Sequence, residues 1–396
     1  RSVGEKKIMH RVYICGDIRF PRGGAGSNYV QYLGLALMDA GYDVHVVSTI
    51  NPEFKENNYK GMLLHAFEYK KIKLIRFLDY HIGAQFRIKS ILMNECLDEN
   101  DLIILYSHNL FLGYILHSFA KCHRVKIGAS VVEYFSEADF ARGRHDYEYK
   151  MDKCLNTKIL TKYDFLLPIS HYIRKKFMPT VEKQLVLPIM ADPYEFNYQE
   201  KAHVQARKYV FPANGRMKDA LSNMVIAIND VLKDNQTLDV EFHFCGIKID
   251  KILDILSMEN SENLDQRIVI HSWMKYEELV ELYQKMDFLL LAREVNEMTK
   301  ANFPSKVPEL MTYGVIPVVS KVGDYTKIYL HDEENSFVFE GCTVPDIRGA
   351  IERTFKMDPS KLSTISLNAR KTVENEFSYK VWSNKLKIFL DQCLQS

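Results

Sequence analysis

Short apolar runs alternate with amphipathic helical stretches along this sequence, and the alternation starts twice. The first series opens at residues 11–16 and closes at 165–169. The second series runs from 208–212 to 315–320. Buried runs of this length between helices are typical of parallel sheets that carry helices on both faces. We therefore predict an α/β protein made of two Rossmann-like, doubly wound domains.

A stretch without a hydrophobic period separates the two series. Residues 187–205 contain two prolines among polar residues, which is typical of a linker. We expect an N-terminal domain at 9–190, a C-terminal domain at 206–376 and a final helix over 377–396 that crosses back to the first domain. Such sheets bind ligands at the carboxyl ends of their strands, so two domains facing a cleft would hold one substrate each.

The composition argues against several classes of protein. The net charge is +1, which gives no reason to expect nucleic acid as a partner. No apolar run is long enough to cross a bilayer, and the polar start at 1–7 lacks the apolar core of a signal peptide. The seven cysteines include no C-x-x-C pair, so neither a disulfide framework nor a cysteine zinc site is expected. We expect a reducing, cytoplasmic location.

The first strand is followed by a glycine-rich turn, P-R-G-G-A-G-S at 21–27. Gly23 and Gly24 would let backbone N–H groups approach a phosphate or a sugar at the start of the next helix. The alternative is a tight strand-to-helix turn without a ligand. A dinucleotide site is disfavoured, because the second strand ends in V-S-T at 47–49 and lacks the acidic residue that such sites use.

A second loop of this kind follows the first strand of the second half. It places Arg216 and Lys218 beside Gly215 and before a helix. A guanidinium fork and an ammonium there can hold a diphosphate, whereas the alternative is solvated surface charge. The repetition of such a loop in both halves favours the binding role.

The most informative stretch is A-N-F-P-S-K-V-P-E-L-M-T-Y-G at 301–314. Pro304 and Ser305 begin a helix whose N-terminal N–H groups favour anions. Lys306 adds a full positive charge, and Glu309 lies where a carboxylate can accept two hydrogen bonds from a ribose diol. The alternative for Glu309 is a carboxylate that serves only the helix dipole.

Together these motifs resemble the retaining family-4 glycosyltransferases, which have the GT-B fold. The glycine pair after the first strand, Lys218 and the F-P-S-K-V-P-E-L-M-x-x-G stretch carry the resemblance, which extends from Met9 to Leu394. The pattern R-E-x-N-x-x-T-x-A-x-F-P-x-K-x-x-E is similar to a subgroup found in bacterial capsule, exopolysaccharide and O-antigen clusters. The resemblance implies a hexosyltransferase that uses a nucleoside-diphosphate sugar, and we expect a UDP-sugar.

The resemblance also implies roles for single residues. Glu309 would hold the nucleotide ribose, and Lys218 would take part in catalysis by stabilising the departing diphosphate. Backbone near Met274 would meet the base, and backbone near Val307 would meet the diphosphate. The donor site would then comprise the following residues: Gly23, Gly24, Arg216, Lys218, Met274, Ser305, Lys306, Val307 and Glu309.

Position 301 departs from the family pattern. The first glutamate of the family's E-x7-E motif, which usually touches the donor sugar, is replaced by Ala301. Arg293 is a candidate donor contact in its place, and Glu294, Glu297 and Lys300 lie on the same loop. The substitution leaves open a degenerate partner subunit that stabilises an active transferase.

Polar residues also follow two strands of the first half. His108 comes after the run at 101–106, and Glu133 comes after the run at 124–132. Both should lie at the substrate side of the sheet. We predict that Glu133 contacts the acceptor nucleophile and that His108 orients it, each as a catalytic residue. The alternatives are a structurally satisfied histidine and a carboxylate held by a structural partner.

Lysine and arginine are interleaved with aromatic residues over 140–176. A surface of this kind can lie on anionic lipid, which would suit an enzyme acting on lipid-linked saccharides at the inner face of the membrane. The alternative is a solvated helix face.

The expected function is transfer of a sugar from a nucleoside-diphosphate sugar to a saccharide or lipid-linked saccharide acceptor, with retention implied by the family. The sequence has no D-x-D pair, so we expect arginine, lysine and helix dipoles to neutralise the diphosphate without a metal. No cofactor besides the donor is expected. A nucleotide-sugar epimerase of the same architecture is the alternative enzyme.

Overall fold

The computed structural model of the protein describes residues 10–22, 24–50, 54–69, 73–201, 207–212 and 218–395. The chain divides into two compact units. Unit 1 contains the chain up to Met190 and again from Tyr379, and unit 2 contains Ala191–Ser378. Each unit is built on one sheet.

All pairs of neighbouring strands are parallel except the short antiparallel pair β3–β4. The strands of unit 1 are β1 (Arg11–Phe20), β2 (Asp43–Ile50), β3 (Asn58–Tyr59), β4 (Met62–Phe67), β5 (Leu102–Tyr106), β6 (Lys126–Val131) and β7 (Phe165–Pro168). The strands of unit 2 are β8 (Arg207–Phe211), β9 (Val240–Cys245), β10 (Ile268–His271), β11 (Phe288–Leu291), β12 (Ile316–Ser320) and β13 (Phe337–Phe339).

Helices connect these strands. Those of the first half are α1 (Ala25–Asp39), α2 (Lys73–Leu78), α3 (Ala84–Asn94), α4 (Leu110–His123), α5 (Tyr147–Cys154) and α6 (His171–Phe177). They are followed by α7 (Leu221–Asp234), α8 (Ile249–Leu256), α9 (Tyr276–Lys285), α10 (Glu297–Ala301), α11 (Lys306–Met311), α12 (Tyr325–Ile328), α13 (Val344–Lys356), α14 (Pro359–Thr372) and α15 (Tyr379–Leu394). Short 3-10 turns lie at Glu137–Asp139, Gly143–His145, Leu160–Lys162 and Ser261–Asn263, and π-helical turns at Asp79–Gly83, Leu155–Ile159 and Val373–Phe377.

The two sheets share one strand order. Unit 1 has the order β3-β4-β2-β1-β5-β6-β7, and unit 2 has β10-β9-β8-β11-β12-β13. Apart from the added β3, both follow the Rossmann order three-two-one-four-five-six. The order reverses between β1 and β5 in unit 1 and between β8 and β11 in unit 2. The carboxyl ends of these strands mark the switch point of each sheet, where ligands bind in open α/β folds.

The final helix packs on α1 within unit 1. Ser383 Oγ donates to the Asp39 carboxylate over 2.5 Å. Leu386 and Leu390 are fully buried, because their spacing of four residues places both on one face of α15. The end of the chain therefore completes the core of the unit that begins it.

Unit 2 begins earlier than the sequence predicts. The Ala191 N–H donates to the Phe377 carbonyl over 2.8 Å, and the ring of Phe196 lies 6.3 Å from that of Tyr313. Residues 191–201 therefore pack as part of unit 2 and are not a free linker, because they make tertiary contacts that a sequence pattern without a period does not reveal.

The predicted fold class, two α/β units with parallel sheets, is confirmed. Ser170 caps α6, since its hydroxyl accepts from the Ile173 N–H over 3.2 Å. The sequence analysis missed β3, β4 and β13. Strands of two or three residues are too short to show alternation, and β4 carries the polar His65 among apolar residues.

Candidate functional site

At the carboxyl edge of the sheet in unit 2, α11 presents two charged side chains. Lys306 Nζ donates to Glu309 Oε2 over 2.8 Å, one helical turn away. The ammonium also lies 5.4 Å from the centre of the Tyr283 ring. The Lys306 side chain is 28% exposed and that of Glu309 is 14% exposed. The fold therefore brings together two residues that the sequence predicts as donor ligands.

Glu309 has one oxygen engaged and one without a partner. Oε2 accepts from Lys306, whereas Oε1 is buried and has no hydrogen-bond partner within the described part of the chain. A buried carboxylate oxygen without a donor costs free energy. A vicinal diol would satisfy this oxygen, because each of its hydroxyls can donate.

Weakly acidic side chains surround this pair. Burial raises the pKa of Tyr283 well above its ordinary value, and the negative charge of Glu309 raises it further. The same two causes, in the same order, raise the pKa of Tyr313. Burial raises the pKa of Cys245 to about 12, although Lys306 lowers it. All three groups therefore stay neutral at physiological pH and do not act as bases or nucleophiles.

At the N-terminal end of α11, one backbone N–H is already hydrogen-bonded within the chain. Ser305 precedes the helix and makes no capping hydrogen bond with its side chain. The Val307 N–H donates to the Pro304 carbonyl over 3.1 Å. The Val307 N–H is thus used within the chain, and the predicted contact between the backbone near Val307 and the diphosphate stays a prediction. Positive charge at this helix start comes mainly from Lys306.

Arg293 lies just beyond β11, at the switch point, in an internal network. Its Nε donates to Asp219 Oδ1 and its Nη1 to Asn302 Oδ1, each over 2.8 Å. Both Arg293 and Asp219 side chains are buried. These bonds join the residues before α7 to those after β11, and the predicted donor contact of Arg293 stays a prediction.

The remaining donor candidates of unit 2 lie in loops. Lys218 is half-buried in the turn before α7, next to Asp219. Met274 is half-buried in the connection between β10 and α9. Arg216 and Gly23 lie outside the described residues, so their predicted roles stay predictions.

Ala301 ends α10 and is fully buried. Asn296 caps this helix by accepting from the Thr299 N–H over 2.9 Å, and Thr299 Oγ1 donates to the Glu294 carbonyl over 2.5 Å. The Glu294 and Lys300 side chains are exposed. With Arg293 engaged internally, these two side chains are the more accessible candidates on the loop for a donor-sugar contact.

In unit 1, Gly24 introduces α1 at the switch point. Its φ of 116° and ψ of −157° belong to a region that is essentially restricted to glycine. A Cβ built on Gly24 would meet no described atom within 4 Å. Glycine is therefore required by the backbone conformation, while the space beside it is open, as a predicted ligand contact requires.

His108 lies between two carboxylates just beyond β5. Its Nδ1 is 3.4 Å from Asp152 Oδ1, and its Nε2 is 4.0 Å from Glu133 Oε2. Asp152 is buried, and its other oxygen accepts from Asn156 Nδ2 over 2.9 Å. Desolvation lowers the pKa of His108, but the charges of Asp152 and Glu133 outweigh it and leave the pKa raised. His108 can therefore hold a proton near neutral pH, with the Glu133 carboxylate beside it.

The sequence analysis missed two carboxylates of this site. Asp17 directly follows Gly16 in β1, accepts from Tyr80 Oη over 2.7 Å and contributes to the raised pKa of His108. Its position at the end of the predicted first strand is a signal that could have identified it. Asp152 lies on α5 with no motif around it, so only the fold places it against His108.

Several solved structures share this architecture. Sucrose-phosphate synthase from Thermosynechococcus elongatus has a TM-score of 0.73 and 14% identity, covering 98% of this chain and 100% of its own. The lipopolysaccharide outer core galactosyltransferase WaaB, in its apo form, has a TM-score of 0.63 and 14% identity over 96% and 99% of the two chains. Anabaena HepE in complex with UDP has a TM-score of 0.66 and 13% identity over 96% and 100%. The fold and these likenesses define the class: the protein has the GT-B fold of glycosyltransferases.

A family model gives a narrower classification for part of unit 2. Residues 207–356 match the family described as Glycosyl transferases group 1, and the matched stretch contains Lys218, Lys306 and Glu309. The match covers residues 207–356, which are 150 of the 396 residues, so it describes this part of unit 2, whereas the likeness over the whole chain is one of fold. The narrower assignment to the retaining family 4 stays a prediction. No match to a curated protein sequence was found.

Proposed function

We propose that the protein transfers a hexose from a nucleoside-diphosphate sugar to a saccharide or lipid-linked saccharide, with retention at the anomeric carbon. The observation that carries this proposal is the Glu309 carboxylate. Lys306 neutralises one of its oxygens, and the other is buried without a partner in the described chain. The ribose diol would donate to the free oxygen, while two donors of the Lys306 ammonium remain for the diphosphate.

The proposed donor is a UDP-sugar. Support comes from HepE, whose structure holds UDP on the same fold. In this chain Lys218, Arg216 and Lys306 would neutralise the departing diphosphate, with no metal ion and no cofactor beyond the donor. Met274 would lie near the base. Lys218 would be catalytic in this scheme, because the negative charge it meets grows as the sugar–phosphate bond breaks.

We propose that unit 1 binds the acceptor. Glu133 would contact the hydroxyl that attacks the sugar, and His108 would orient that hydroxyl while Asp152 holds the imidazole in place. Gly23 and Gly24 would border the transferred sugar. A saccharide of a cell-surface polymer is supported by the likeness to WaaB, a transferase of the lipopolysaccharide outer core by name.

A thermal-shift screen of UDP-, GDP-, ADP- and dTDP-sugars tests the donor assignment, because a ligand that binds the folded state raises the apparent Tm. We expect the largest shift with a UDP-sugar. Glu309→Gln should lose most of that shift. The matched control Glu340→Gln, which changes a 78% exposed glutamate of the same unit, should keep it. Equal shifts in both variants, or no shift with any donor, would overturn the site.

Retention is tested separately on the product. The anomeric proton coupling in the NMR spectrum of the transferred sugar reports its configuration. The same configuration as in the donor is expected, and an inverted product would remove the retaining part of the proposal while leaving the donor site intact.

A second candidate function rests on Ala301. The family that the sequence resembles usually has a glutamate at this position, and that glutamate touches the donor sugar. Here a buried methyl group takes its place. The alternative is therefore a subunit that binds the nucleotide without turnover. Measurable transfer by the isolated chain would exclude it. Nucleotide binding without transfer, together with a co-purifying active transferase, would favour it.

We also propose that residues 140–176 contact an anionic membrane at its inner, cytoplasmic face. None of the described helices is long and apolar enough to span a bilayer. The segment is divided among short turns, α5, β7 and α6, and Lys176 Nζ lies 5.2 Å above each of the Tyr134 and Tyr172 rings. Sedimentation with phosphatidylserine vesicles tests the contact. Binding that is absent, or unchanged when Lys175 and Lys176 are both replaced by Glu, would contradict it.

A further inference from the structure

A cluster of histidine and glutamate lies in unit 1 away from the switch point. His45 is near the start of β2, His65 lies in β4, and Glu95 directly follows α3. β2 continues to Ile50, so the carboxyl end of that strand is about 16 Å beyond His45. The cluster is therefore separate from the proposed transfer site, and its chemistry is independent of the proposed function.

The distances within the cluster are close to those of a metal site. His45 Nδ1 lies 2.8 Å from His65 Nε2 and 3.9 Å from Glu95 Oε2. One ligand atom from each residue falls within a span of 4.8 Å. A tetrahedral zinc ion with bonds of about 2.0–2.2 Å places its ligand atoms roughly 3.3–3.5 Å apart. The two distances from His45 Nδ1 differ from that spacing by about half an ångström.

Two of these three residues contact further polar groups of the kind that orient metal ligands. The other ring nitrogen of His45, Nε2, lies 3.4 Å from Asp43 Oδ2, and Tyr13 Oη donates to Glu95 Oε2 over 3.1 Å. A carboxylate behind a histidine favours the tautomer whose lone pair, here on Nδ1, faces the metal. His65 and Glu95 are 20% and 29% exposed, which leaves a path for an ion to enter.

Arg11 is a cation close to the cluster, and its charge is balanced by a carboxylate. Arg11 donates through Nη1 to the Glu95 carbonyl over 3.0 Å. Its Nη2 is paired with Asp101 Oδ2 over 2.5 Å. This carboxylate therefore compensates the guanidinium charge beside the cluster.

Unit 2 contains the same histidine pair without the third ligand. His243 Nδ1 lies 2.8 Å from His271 Nε2, and His243 Nε2 lies 2.9 Å from Glu241 Oε2. The ring centroids are 5.1 Å apart in each unit. Within the described chain, a group of three ligands with metal spacing occurs in unit 1 alone. A stacked histidine pair is thus a shared feature of both sheets, and Glu95 distinguishes the first.

We propose that His45, His65 and Glu95 bind a zinc ion, with water as the fourth ligand. Two imidazoles and one carboxylate suit Zn²⁺, whereas Mg²⁺ and Ca²⁺ prefer oxygen ligands alone. The ion would join β2, β4 and the end of α3. Its role is to stabilise this edge of the sheet, and it takes no part in sugar transfer.

The test uses the full chain after treatment with EDTA and dialysis. Isothermal titration should show one equivalent of zinc, and the apparent Tm should rise until that equivalent is bound. Mg²⁺ should have no effect. Glu95→Gln and His65→Gln should each weaken zinc binding by at least about tenfold, and Asp43→Asn, which acts through His45, by about 10- to 100-fold. The matched variant His271→Gln should bind zinc as the unaltered chain does.

Melting curves recorded without zinc establish that each variant is folded. Failure of the unaltered chain to bind zinc overturns the proposal. So does unchanged affinity in both Glu95→Gln and His65→Gln, or an equal loss of affinity in His271→Gln. If a ligand variant does not fold, Asp43→Asn tests the same site with all three ligands in place, and unchanged zinc affinity in that variant overturns the proposal.

Discussion

The two units have the same strand order but stabilise their carboxyl edges by different means. In unit 2 the edge depends on charge, since Arg293 and Asp219 form a buried ion pair across the switch point. In unit 1 the edge depends on a glycine conformation at Gly24 and on the polar contacts of His108. Topology decides where the strand ends meet, whereas the residues that follow the strands decide the chemistry. The edges should therefore respond differently to mutation.

The largest effect is expected from breaking the buried pair of unit 2. Asp219→Ala should lower the free energy of unfolding by about 3–5 kcal/mol, because it leaves the Arg293 charge buried without its partner. Urea denaturation measures the loss. Glu340→Ala removes an exposed partner of Lys321 and should cost less than about 1 kcal/mol. Similar losses in both variants would show that the edge of unit 2 does not depend on this pair.

Replacement of the neighbouring residue, Lys218, should lower the activity. Lys218→Ala should lower kcat by about 10²- to 10³-fold, because it removes a charge that stabilises the departing diphosphate. Steady-state kinetics with a UDP-sugar measure the change. Lys321→Ala, at an exposed lysine of the same unit, should leave the rate unchanged. Near-normal turnover in Lys218→Ala would remove this residue from the catalytic site.

In unit 1 a smaller loss of stability should follow from the backbone alone. Gly24→Ala should lower the free energy of unfolding by about 1–3 kcal/mol, because its φ of 116° strains any residue with a Cβ. Gly349→Ala is the matched control, since no described atom lies within 4 Å of the added carbon at either glycine. Gly349 lies in α13, where alanine should stabilise by about 0.5–1 kcal/mol. If both substitutions change the free energy of unfolding in the same direction, the proposed strain at Gly24 is contradicted.

The smallest effect concerns the proton on His108. Its pKa is raised in the folded state, so the protonated ring stabilises the fold at low pH, and this contribution is lost as the pH rises through that pKa. Asp152→Asn should lower the pKa of His108 and reduce this contribution, which is below about 1 kcal/mol because the ring is about half exposed. NMR titration measures the pKa of His108, with His117 as an internal reference. An unchanged pKa of His108 would show that Asp152 does not hold the proton.

Much of the architecture could be predicted from local patterns. The apolar runs predicted at 208–212 and 315–320 agree within one residue with β8 and β12, because each is a regular run with clear boundaries. β1 extends to Phe20, four residues past the predicted end, with an irregular register between Cys15 and Arg19. An irregularity of this kind depends on pairing with β2 and leaves no periodic signal in β1 itself.

The candidate donor-site residues also differ in whether a local pattern could predict their contacts. Lys306 and Glu309 are three residues apart on a helix, so their contact follows from helical geometry once the helix is recognised. The pairing of Arg293 with Asp219 spans 74 residues and depends on β11 lying beside β8. For that reason the sequence alone did not reveal the bond from Arg293 to Asp219, and the predicted donor contact of Arg293 stays a prediction.

By itself, then, the sequence determined two α/β series, a resemblance to glycosyltransferases and the close pair on α11, since each rests on residues near one another in the chain. Tertiary structure decided the partners of His108, the engagement of Arg293, the free oxygen of Glu309 and the convergence of His45, His65 and Glu95. These features depend on which strands become neighbours. Strand order is set by the packing of the whole core, and no spacing along the chain records it.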